Sequence, residues 1–503
     1  MSFALLSSVH KMARNRTMLF LLFIILFALV MRLINLDSDL WLDEVASVRR
    51  FAGGSPVMIL TTYQTTNNHL LNSFFISAVT STFGSDEWIL RAPAVVFGGL
   101  AVAAIFWLAR RYFTPSISLL AALALAVAYQ HIFFSQSVRG YSAYFLFAII
   151  SSAALARITD PAATRGRTLW MIGYIIAAWL GVMSHLTMAF IIAGHGVVAL
   201  AALIMHARRG ARLIPMITRF IVVYAAVGVV CLVTFAGIIP QALALLNNVY
   251  QVDQAAGYQA LSLEFFQELL RTLSGNLSPL LLVVSIPAGI IGLFGALSLI
   301  RRDGVLLFAL CVGPVLHFTL SAVRELVFSP RFLLVLLIPL ILISLEVIRL
   351  IVQWLEHRVK ATTPVSPLIW VIGVAAMLGA LALPLPTYYA FPKQPYTATI
   401  AHIETIRTTD QLVIAIDSTE QGFRYYGGSL GDDLVYVRTV EAFDQALALA
   451  GTRGAILVTS LERNLRVDVP DLYARIQADW QIESRFHASV GDGDLRVYTQ
   501  ITQ

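Results

Sequence analysis

The chain has 503 residues, of which 58% are hydrophobic and 13% are charged, and its mean hydropathy is +0.77. That composition excludes a water-soluble enzyme and indicates a protein whose main solvent is the lipid bilayer. The formal net charge of +6 does not indicate nucleic-acid binding, because the basic residues lie at the ends of apolar runs rather than in one patch.

Apolar runs bounded by charged residues, proline or glycine predict about 11 spanning helices, each close to the ~20 residues that a bilayer requires. The first run follows Lys11, Arg14 and Arg16 without a small-residue cleavage site, so we expect a retained signal-anchor helix. The predicted spans are residues 17–36, 92–109, 115–134, 141–156, 169–184, 186–205, 218–239, 277–300, 304–322, 331–350 and 367–386.

Basic residues between the spans predict the orientation, since cytoplasmic loops carry an excess of arginine and lysine. Every second loop is basic if the N-terminus is cytoplasmic. We therefore expect a multi-pass protein of the bacterial cytoplasmic membrane, with its C-terminal part outside. The residues on the expected cytoplasmic side are Arg110, Arg111, Arg157, Arg165, Arg167, Arg208, Arg209, Arg212, Arg301, Arg302, Arg358 and Lys360.

Seven arginines break this rule and are expected on the outer side. We expect some of them to hold an anion at the outer membrane face. The alternative is that they reach lipid headgroups or pair with Asp86, Glu87 or Glu325. The seven are Arg49, Arg50, Arg91, Arg139, Arg271, Arg324 and Arg331.

Three segments outside the spans are long enough to fold. Residues 37–90 form the first outer loop, with amphipathic stretches that suit surface helices, and residues 240–275 form a second. After residue 390 the composition becomes polar, and strand-like runs at 412–416, 434–438, 455–459 and 494–499 alternate with helical patterns at 440–450 and 471–480. We predict a membrane domain over 1–390 and a small extracytoplasmic α/β domain over 391–503, with a scaffolding or acceptor-recognition role.

The strongest candidate for chemistry is the adjacent acid pair Asp43 and Glu44, which follows the first span in an apolar neighbourhood. A partly desolvated carboxylate at a membrane interface gains proton affinity and suits general-base catalysis. On pattern alone the pair is more typical of a solvated stop after a helix or of a helix N-cap, since acids favour the first turn of a helix.

Further pieces occur in a consistent order and on the same predicted side. They are Leu42-Asp43-Glu44, Asn67-Asn68-His69, Trp88-Ile-Leu-Arg91-Ala-Pro93, Phe134-Ser-Gln136-Ser-Val-Arg139-Gly140-Tyr141 and Ser329-Pro330-Arg331-Phe332. With these motifs the chain resembles the GT-C glycosyltransferases that use polyprenyl-phosphate sugars, in the branch of protein O-mannosyltransferases and aminoarabinose transferases (glycosyltransferase families 39 and 83). The resemblance covers nearly the whole chain and implies an α-helical polytopic membrane protein of GT-C type with a small C-terminal α/β extracytoplasmic domain.

The resemblance implies that Asp43 is the catalytic acid or base, which removes a proton from the acceptor as the acceptor attacks the anomeric carbon with inversion. The departing lipid phosphate needs positive charge nearby. Arg139 and Arg331 are the first candidates, because a guanidinium holds two phosphate oxygens at once, and Arg91 and Arg324 rank behind them.

The remaining site residues surround this core of charges. Glu44 is expected to orient the acceptor or to share a cation with Asp43. His69 is expected to bond the phosphate, or to hold a divalent metal with Glu44; no cofactor is otherwise implied. Gln136 and Tyr141 flank Arg139 and can reach phosphate or sugar hydroxyls, although interfacial packing explains them equally well.

Two features depart from the family pattern or leave alternatives open. Relatives have His-Pro-Pro where this chain reads His69-Leu-Leu, which leaves the role of His69 open. The expected partners are a polyprenyl-phosphate sugar, the bilayer and an acceptor of unknown class, either protein, lipid or glycan. A transporter or flippase of a lipid-linked or anionic solute is the alternative, but it predicts ionisable residues within the spans rather than at their outer ends.

Overall fold

In the computed structural model the chain folds into a helical membrane domain and a C-terminal α/β domain. We call the latter the outer domain, and the side of the membrane domain that carries it the outer side, after the orientation that the basic residues predict. The structure describes residues 3–63, 68–244, 258–274, 280–358, 366–408 and 410–501. The described residues up to Phe235 form eleven helices. They are α1 Phe3–Leu33, α2 Leu42–Phe51, α3 Pro56–Thr61, α4 Leu70–Phe83, α5 Glu87–Ala109, α6 Pro115–Val127, α7 Tyr129–Ser135, α8 Tyr141–Thr159, α9 Arg167–Ser184, α10 Met188–Arg208 and α11 Ile214–Phe235.

The second part completes the membrane domain and begins with a two-residue strand on the outer side. Strand β1, Tyr258–Gln259, pairs antiparallel with β2, Val327–Phe328. A 3-10 helix, Pro330–Leu336, leads into a long apolar helix. The helices of this part are Leu263–Ser274, Leu280–Val323, Leu337–Arg358, Ser366–Ala382 and Leu385–Ala390.

Nine helices in the described residues are long and apolar enough to cross a membrane, or ten if a bent pair counts as one span. This is fewer than the predicted number of about 11, and the difference has a structural cause. The predicted spans 277–300 and 304–322 belong to one helical stretch, Leu280–Val323, whose backbone leaves the helical region at Asp303. A straight helix of that length is far longer than the ~30 Å hydrocarbon core, so this break divides it into two segments of about 20 residues.

The predicted span 115–134 is the bent pair, α6 and α7, which meet at an angle of 60°. Arg32 at the outer end of α1 is fully buried beside this break. It donates hydrogen bonds to the carbonyls of Leu125 and Ala126, which the bend leaves without helical partners. A buried guanidinium with five donors therefore stabilises the broken helix.

The outer domain is a five-stranded sheet covered by helices. Its strands are β3 Leu412–Ile416, β4 Leu434–Val437, β5 Ala455–Thr459, β6 Trp480–Phe486 and β7 Leu495–Gln500. The spatial order is β4-β3-β5-β7-β6, with parallel pairing of β3 to β4 and β5 and antiparallel pairing of β7 to β5 and β6. The helices are Tyr396–Ile406, Glu420–Tyr426, Val440–Ala450, Glu462–Asp468 and Pro470–Asp479.

Four of these strands match the predicted runs, whereas β6 was not predicted. Its alternate residues are exposed and polar, as is typical of an edge strand with one solvated face. The outer domain also contacts the first outer loop directly. Thr397 donates hydrogen bonds to the Asp39 carboxylate from its N–H at 2.7 Å and its hydroxyl at 2.6 Å, and the Tyr426 hydroxyl donates to Glu87 at 2.9 Å.

Candidate active site

Helix α2 begins at the acid pair and presents Asp43 to two arginines from distant parts of the chain. The backbone N–H of Trp41 donates to the Glu44 side chain at 3.2 Å, which satisfies a helix-end donor, and both acids complement the positive end of the helix dipole. Oδ2 of Asp43 lies 3.0 Å from Nη1 of Arg331 and 3.3 Å from Nη1 of Arg139. The three motifs that carry these residues therefore meet at one point.

The three members of this cluster differ in their exposure. The side chain of Arg139 is 3% exposed and that of Asp43 is 16% exposed, whereas Arg331 remains 28% exposed. Arg139 also packs over the ring of Tyr141, 5.7 Å from its centroid. An incoming anion can therefore reach Arg331 most easily, while Arg139 is held behind the carboxylate.

Glu44 is fully buried and faces away from this cluster. Arg91 binds its carboxylate with two hydrogen bonds, at 3.1 and 2.8 Å, and the Val138 N–H donates at 2.8 Å. Nζ of Lys393 lies 3.3 Å away. Burial alone would raise the pKa of this carboxyl, but the two cations outweigh it and hold the Glu44 pKa at about 2. The expected contact with an acceptor or a shared cation does not fit a carboxylate enclosed in this way.

Arg91 is equally enclosed, and the expectation that it binds substrate does not fit its position. Its guanidinium is 1% exposed and donates further hydrogen bonds to the carbonyls of Leu36, Ser38 and Asp39. Gln136 is buried too, and its amide donates to the carbonyls of Arg32 and Ile34 at the end of α1. Both side chains hold the outer helix ends together.

Lys393 and Gln394, directly after the last span, were not predicted as site residues. Nζ of Lys393 donates to the carbonyl of Gln136 at 2.6 Å and to the Ser137 hydroxyl at 2.8 Å. Burial lowers the pKa of this lysine to about 7, although Glu44 opposes the shift. Gln394 accepts a hydrogen bond from the Leu42 N–H at 2.6 Å, which fixes the first turn of α2. Neither residue belongs to a motif with a chemical signature, so the sequence offered no signal for them.

His69, Tyr141 and His185 form an aromatic cluster beside the arginines. The His69 ring lies 4.8 Å from that of His185 and 5.8 Å from that of Tyr141, between ring centroids. Burial, together with the charge of Arg139, holds the pKa of both histidines well below its usual range. Both rings are therefore neutral at pH 7.

The backbone permits this cluster because Gly140 packs directly on the preceding helix end. A Cβ at Gly140 would overlap the carbonyl oxygen of Ser184. That same carbonyl accepts a hydrogen bond from the His69 ring. Nε2 of His69 has no hydrogen-bond partner among the described residues, so this ring nitrogen can bond a ligand, as donor or acceptor according to the tautomer.

Several buried donors around Asp43 also have no hydrogen-bond partner within the described part of the chain. They are the hydroxyl of Tyr141 and the Nε atoms of Arg139 and Arg331. Buried polar groups are normally satisfied, so such a group of donors indicates a site for a ligand rich in acceptor oxygens. A phosphate fits this donor set.

A divalent metal does not fit it. The described ranges contain no group of three histidine, cysteine, aspartate or glutamate side chains that could hold an ion. Glu44 is already occupied by two cations, and the charges near His69 are guanidinium groups. Arg324 is exposed just after the helix that ends at Val323 and makes no described contact with the Asp43 cluster. Asn67 of the motif Asn67-Asn68-His69 lies outside the described residues.

Two adjoining cavities open beside Arg331. The first has a volume of about 250 Å³, and its walls include Tyr129, Phe133, Phe134 and Tyr388. The second has a volume of about 730 Å³ and includes Asp43. We call them the apolar cavity and the polar chamber.

One family model and several solved structures are similar to this chain. Residues 68–239 match the sequence model of the dolichyl-phosphate-mannose-protein mannosyltransferase family. No curated protein sequence matches the chain. Among solved structures, ArnT from Cupriavidus metallidurans bound to undecaprenyl phosphate is similar with a TM-score of 0.53 and 14% identity, over 96% of this chain and 98% of that one. The chain has the GT-C fold.

Other similar structures extend this GT-C comparison. The Archaeoglobus fulgidus oligosaccharyltransferase in its apo form has a TM-score of 0.54 and 12% identity, over 90% of this chain and 71% of that one. Its complex with an inhibitory peptide and a dolichol-phosphate, named AglB, has a TM-score of 0.53 and 12% identity, over 98% and 74%. Together with the family match, these structures confirm the resemblance inferred from the sequence motifs.

Proposed function

We propose that this GT-C protein is a glycosyltransferase that moves a sugar from a polyprenyl-phosphate donor to an acceptor at the outer membrane face. The observation that carries the proposal is the ion pairing of Asp43 with Arg139 and Arg331. The pair lies beside the apolar cavity and near buried hydrogen-bond donors that have no partner among the described residues. The match to a family of dolichyl-phosphate-mannose-dependent enzymes and the similarity to structures holding undecaprenyl phosphate or dolichol phosphate support the class of donor.

In this proposal the polyprenyl chain enters the apolar cavity and its phosphate binds Arg331. Arg331 and Asp43 form an ion pair in the structure, so the phosphate competes with the carboxylate for the guanidinium. Binding of the donor thereby releases Asp43 from one of its two cations. The carboxylate is then free to accept a proton while Arg139 holds it in place.

The reaction is a displacement at the anomeric carbon. The acceptor oxygen or nitrogen attacks that carbon, its proton passes to Asp43, and the bond from the carbon to the phosphate oxygen breaks with inversion. The leaving phosphate keeps the bonding electrons, and the charge of Arg331 stabilises it. The Tyr141 hydroxyl donates to the phosphate, and Nε2 of His69 forms a hydrogen bond with a sugar hydroxyl.

Glu44 acts in this proposal as a positioning residue. Glu44 lies on α2, which also carries Asp43. Its carboxylate accepts a hydrogen bond from the Val138 N–H, next to Arg139, and pairs with the side chains of Arg91 and Lys393. Because the base and the phosphate ligands come from separate segments, this common anchor sets their spacing. Displacements of ~1 Å cost about a hundredfold in rate at such sites.

The alternative is a transporter that moves the intact lipid-linked donor. The outer helix ends carry the charged cluster, and a transporter would instead need its binding groups near the middle of the membrane. The cytoplasmic position of the N-terminus is proposed from the basic residues between the spans.

The test uses the purified full chain in proteoliposomes with a panel of radiolabelled undecaprenyl-phosphate and dolichyl-phosphate hexoses and pentoses, together with host membranes as the source of acceptor. We expect label to leave one donor, with release of polyprenyl phosphate and inversion at the anomeric carbon. Movement of the intact donor across the bilayer without bond cleavage would support transport instead. Label that stays on every donor contradicts a transferase.

A further inference from the structure

The polar chamber lies between the membrane domain and the outer domain. Its inner side carries Leu42, Asp43 and Arg331, and its opposite side consists of residues 461–466 and 490–492 of the outer domain. The proposed function assigns no ligand to this space. Its volume of about 730 Å³ exceeds that of a single sugar ring, so a sugar residue and part of its carrier fit inside.

Asp43 distinguishes the two spaces. It lines the polar chamber but not the apolar cavity, whereas Arg331 and Trp41 line both. A donor in the apolar cavity with its phosphate at Arg331 would place the anomeric carbon at this shared boundary. A base must contact the group from which it takes the proton, so the acceptor has to approach from the polar chamber.

Hydrogen bonds fix the outer wall of this chamber relative to Asp43. Gln394 accepts from the Leu42 N–H at 2.6 Å and donates to the Ser460 hydroxyl at 3.0 Å, and Ser460 immediately precedes the wall. Leu461 has a left-handed backbone with φ of 51°, and its N–H donates to the carbonyl of Asp492 at 3.1 Å. The start of the helix Glu462–Asp468 is therefore linked to the first turn of α2 through Gln394.

The side chains of this wall suit a hydroxyl-rich ligand. Asn464 and Asp492 supply both donors and acceptors, and Arg466 is exposed at the rim. Each sugar hydroxyl both donates and accepts a hydrogen bond, so it requires such a mixture. Trp41 adds an aromatic ring, whose apolar face can pack against the C–H face of a sugar. One face of the Tyr258 ring is covered by the guanidinium of Arg463, 4.2 Å from the ring centroid.

We propose that the polar chamber is an acceptor site for a sugar residue, so that the enzyme joins two sugars, and that residues 461–466 select the acceptor. This inference rests on the proposed function. A hydroxyl oxygen of the acceptor sugar forms the new bond to the anomeric carbon, its proton goes to Asp43, and polyprenyl phosphate leaves with the electron pair of the broken bond. A peptide or a lipid as acceptor is the competing outcome.

The first experiment determines the linkage. The labelled product from host membranes is released and analysed by mass spectrometry, and soluble methyl glycosides are supplied to the purified full chain as probe acceptors. We expect a bond between two sugars and transfer to at least one methyl glycoside. Label attached to an amino acid or directly to a lipid overturns the inference while leaving the transferase proposal intact, and absence of any transfer contradicts the transferase proposal.

The second experiment tests the wall with Asn464→Ala and Arg466→Ala. The control is Arg453→Ala, because Arg453 is also exposed but lies before β5, at the opposite end of that strand. We expect the acceptor KM to rise about tenfold for each wall variant, as for the loss of one hydrogen bond to a bound ligand. The donor KM and the control should remain unchanged. Unchanged acceptor KM in both wall variants would overturn the selective role of residues 461–466.

Discussion

Replacement of Glu44 by glutamine tests whether one buried carboxylate aligns the site. The wild-type side chain is fully buried and receives hydrogen bonds from Arg91, Val138 and Lys393. Glu44→Gln keeps the shape but removes the charge, which leaves two buried cations without their counter-ion. Removal of one partner from a buried ion pair costs about 3–5 kcal/mol, so we expect a lower apparent unfolding midpoint in detergent.

The same variant should lose activity beyond its loss of stability. Glu44 joins α2 to the segment of Arg139 through the Val138 N–H, and a small shift between Asp43 and the arginines separates the base from the phosphate. We expect transfer to fall about a hundredfold in the fraction that remains folded. Transfer per folded molecule, measured after size-exclusion chromatography, separates this effect from unfolding.

A second substitution provides the matched control. In Glu44→Gln with Lys393→Met, one of the two stranded charges is also removed, so we expect part of the lost stability to return. A coupling of about 0.5–3 kcal/mol between the two sites is typical of groups in one network. Wild-type stability and activity in Glu44→Gln would refute the anchoring role, and strict additivity would refute the coupling with Lys393.

Three further predictions follow from the cluster. Arg331→Ala should weaken binding of undecaprenyl phosphate by about tenfold or more in a direct binding assay, with Arg331→Lys intermediate, because lysine lacks the planar fork. Gly140→Ala should lower the unfolding midpoint, since its Cβ overlaps the Ser184 carbonyl; an unchanged midpoint would contradict the close packing. The folded state keeps the pKa of His69 and His185 below the unfolded value of about 6.5, so stability in a pH series of unfolding curves should fall as the pH drops below 6.5.

The sequence predicts the elements that have a recognisable hydrophobic pattern. Apolar runs of span length identify the membrane helices, and the strand-like runs that alternate with helical patterns after residue 390 identify β3, β4, β5 and β7. The predicted spans 277–300 and 304–322 correspond to the two segments on either side of the break at Asp303. Strand β6 was not predicted, and its exposed polar residues are typical of an edge strand.

Motif order brought Asp43, Arg139 and Arg331 into one hypothesis, and the structure places them within ion-pairing distance. The same reasoning does not separate a base from its supporting carboxylate. Glu44 follows Asp43 directly, but consecutive residues of a helix point about 100° apart around its axis, so the two side chains enter different surroundings. Their difference in burial depends on the position of Arg91 and Lys393, which come from distant segments.

The outer domain presents a similar limit. The sequence predicts four of its five strands, but nothing in Pro392-Lys393-Gln394-Pro395 indicates that the side chains of Lys393 and Gln394 are buried beside Glu44 and α2. A lysine in a polar segment is normally solvated. Tertiary structure places Lys393 beside a buried carboxylate, and only that placement indicates its role.

The most direct test of the central claim measures donor binding and sugar transfer on the same preparation of Asp43→Asn. The account predicts that undecaprenyl phosphate still binds, because Arg139 and Arg331 remain, whereas transfer falls by a factor of about 10²–10⁴, as for loss of a general base. Transfer at the wild-type rate would contradict the assignment of Asp43 as the base.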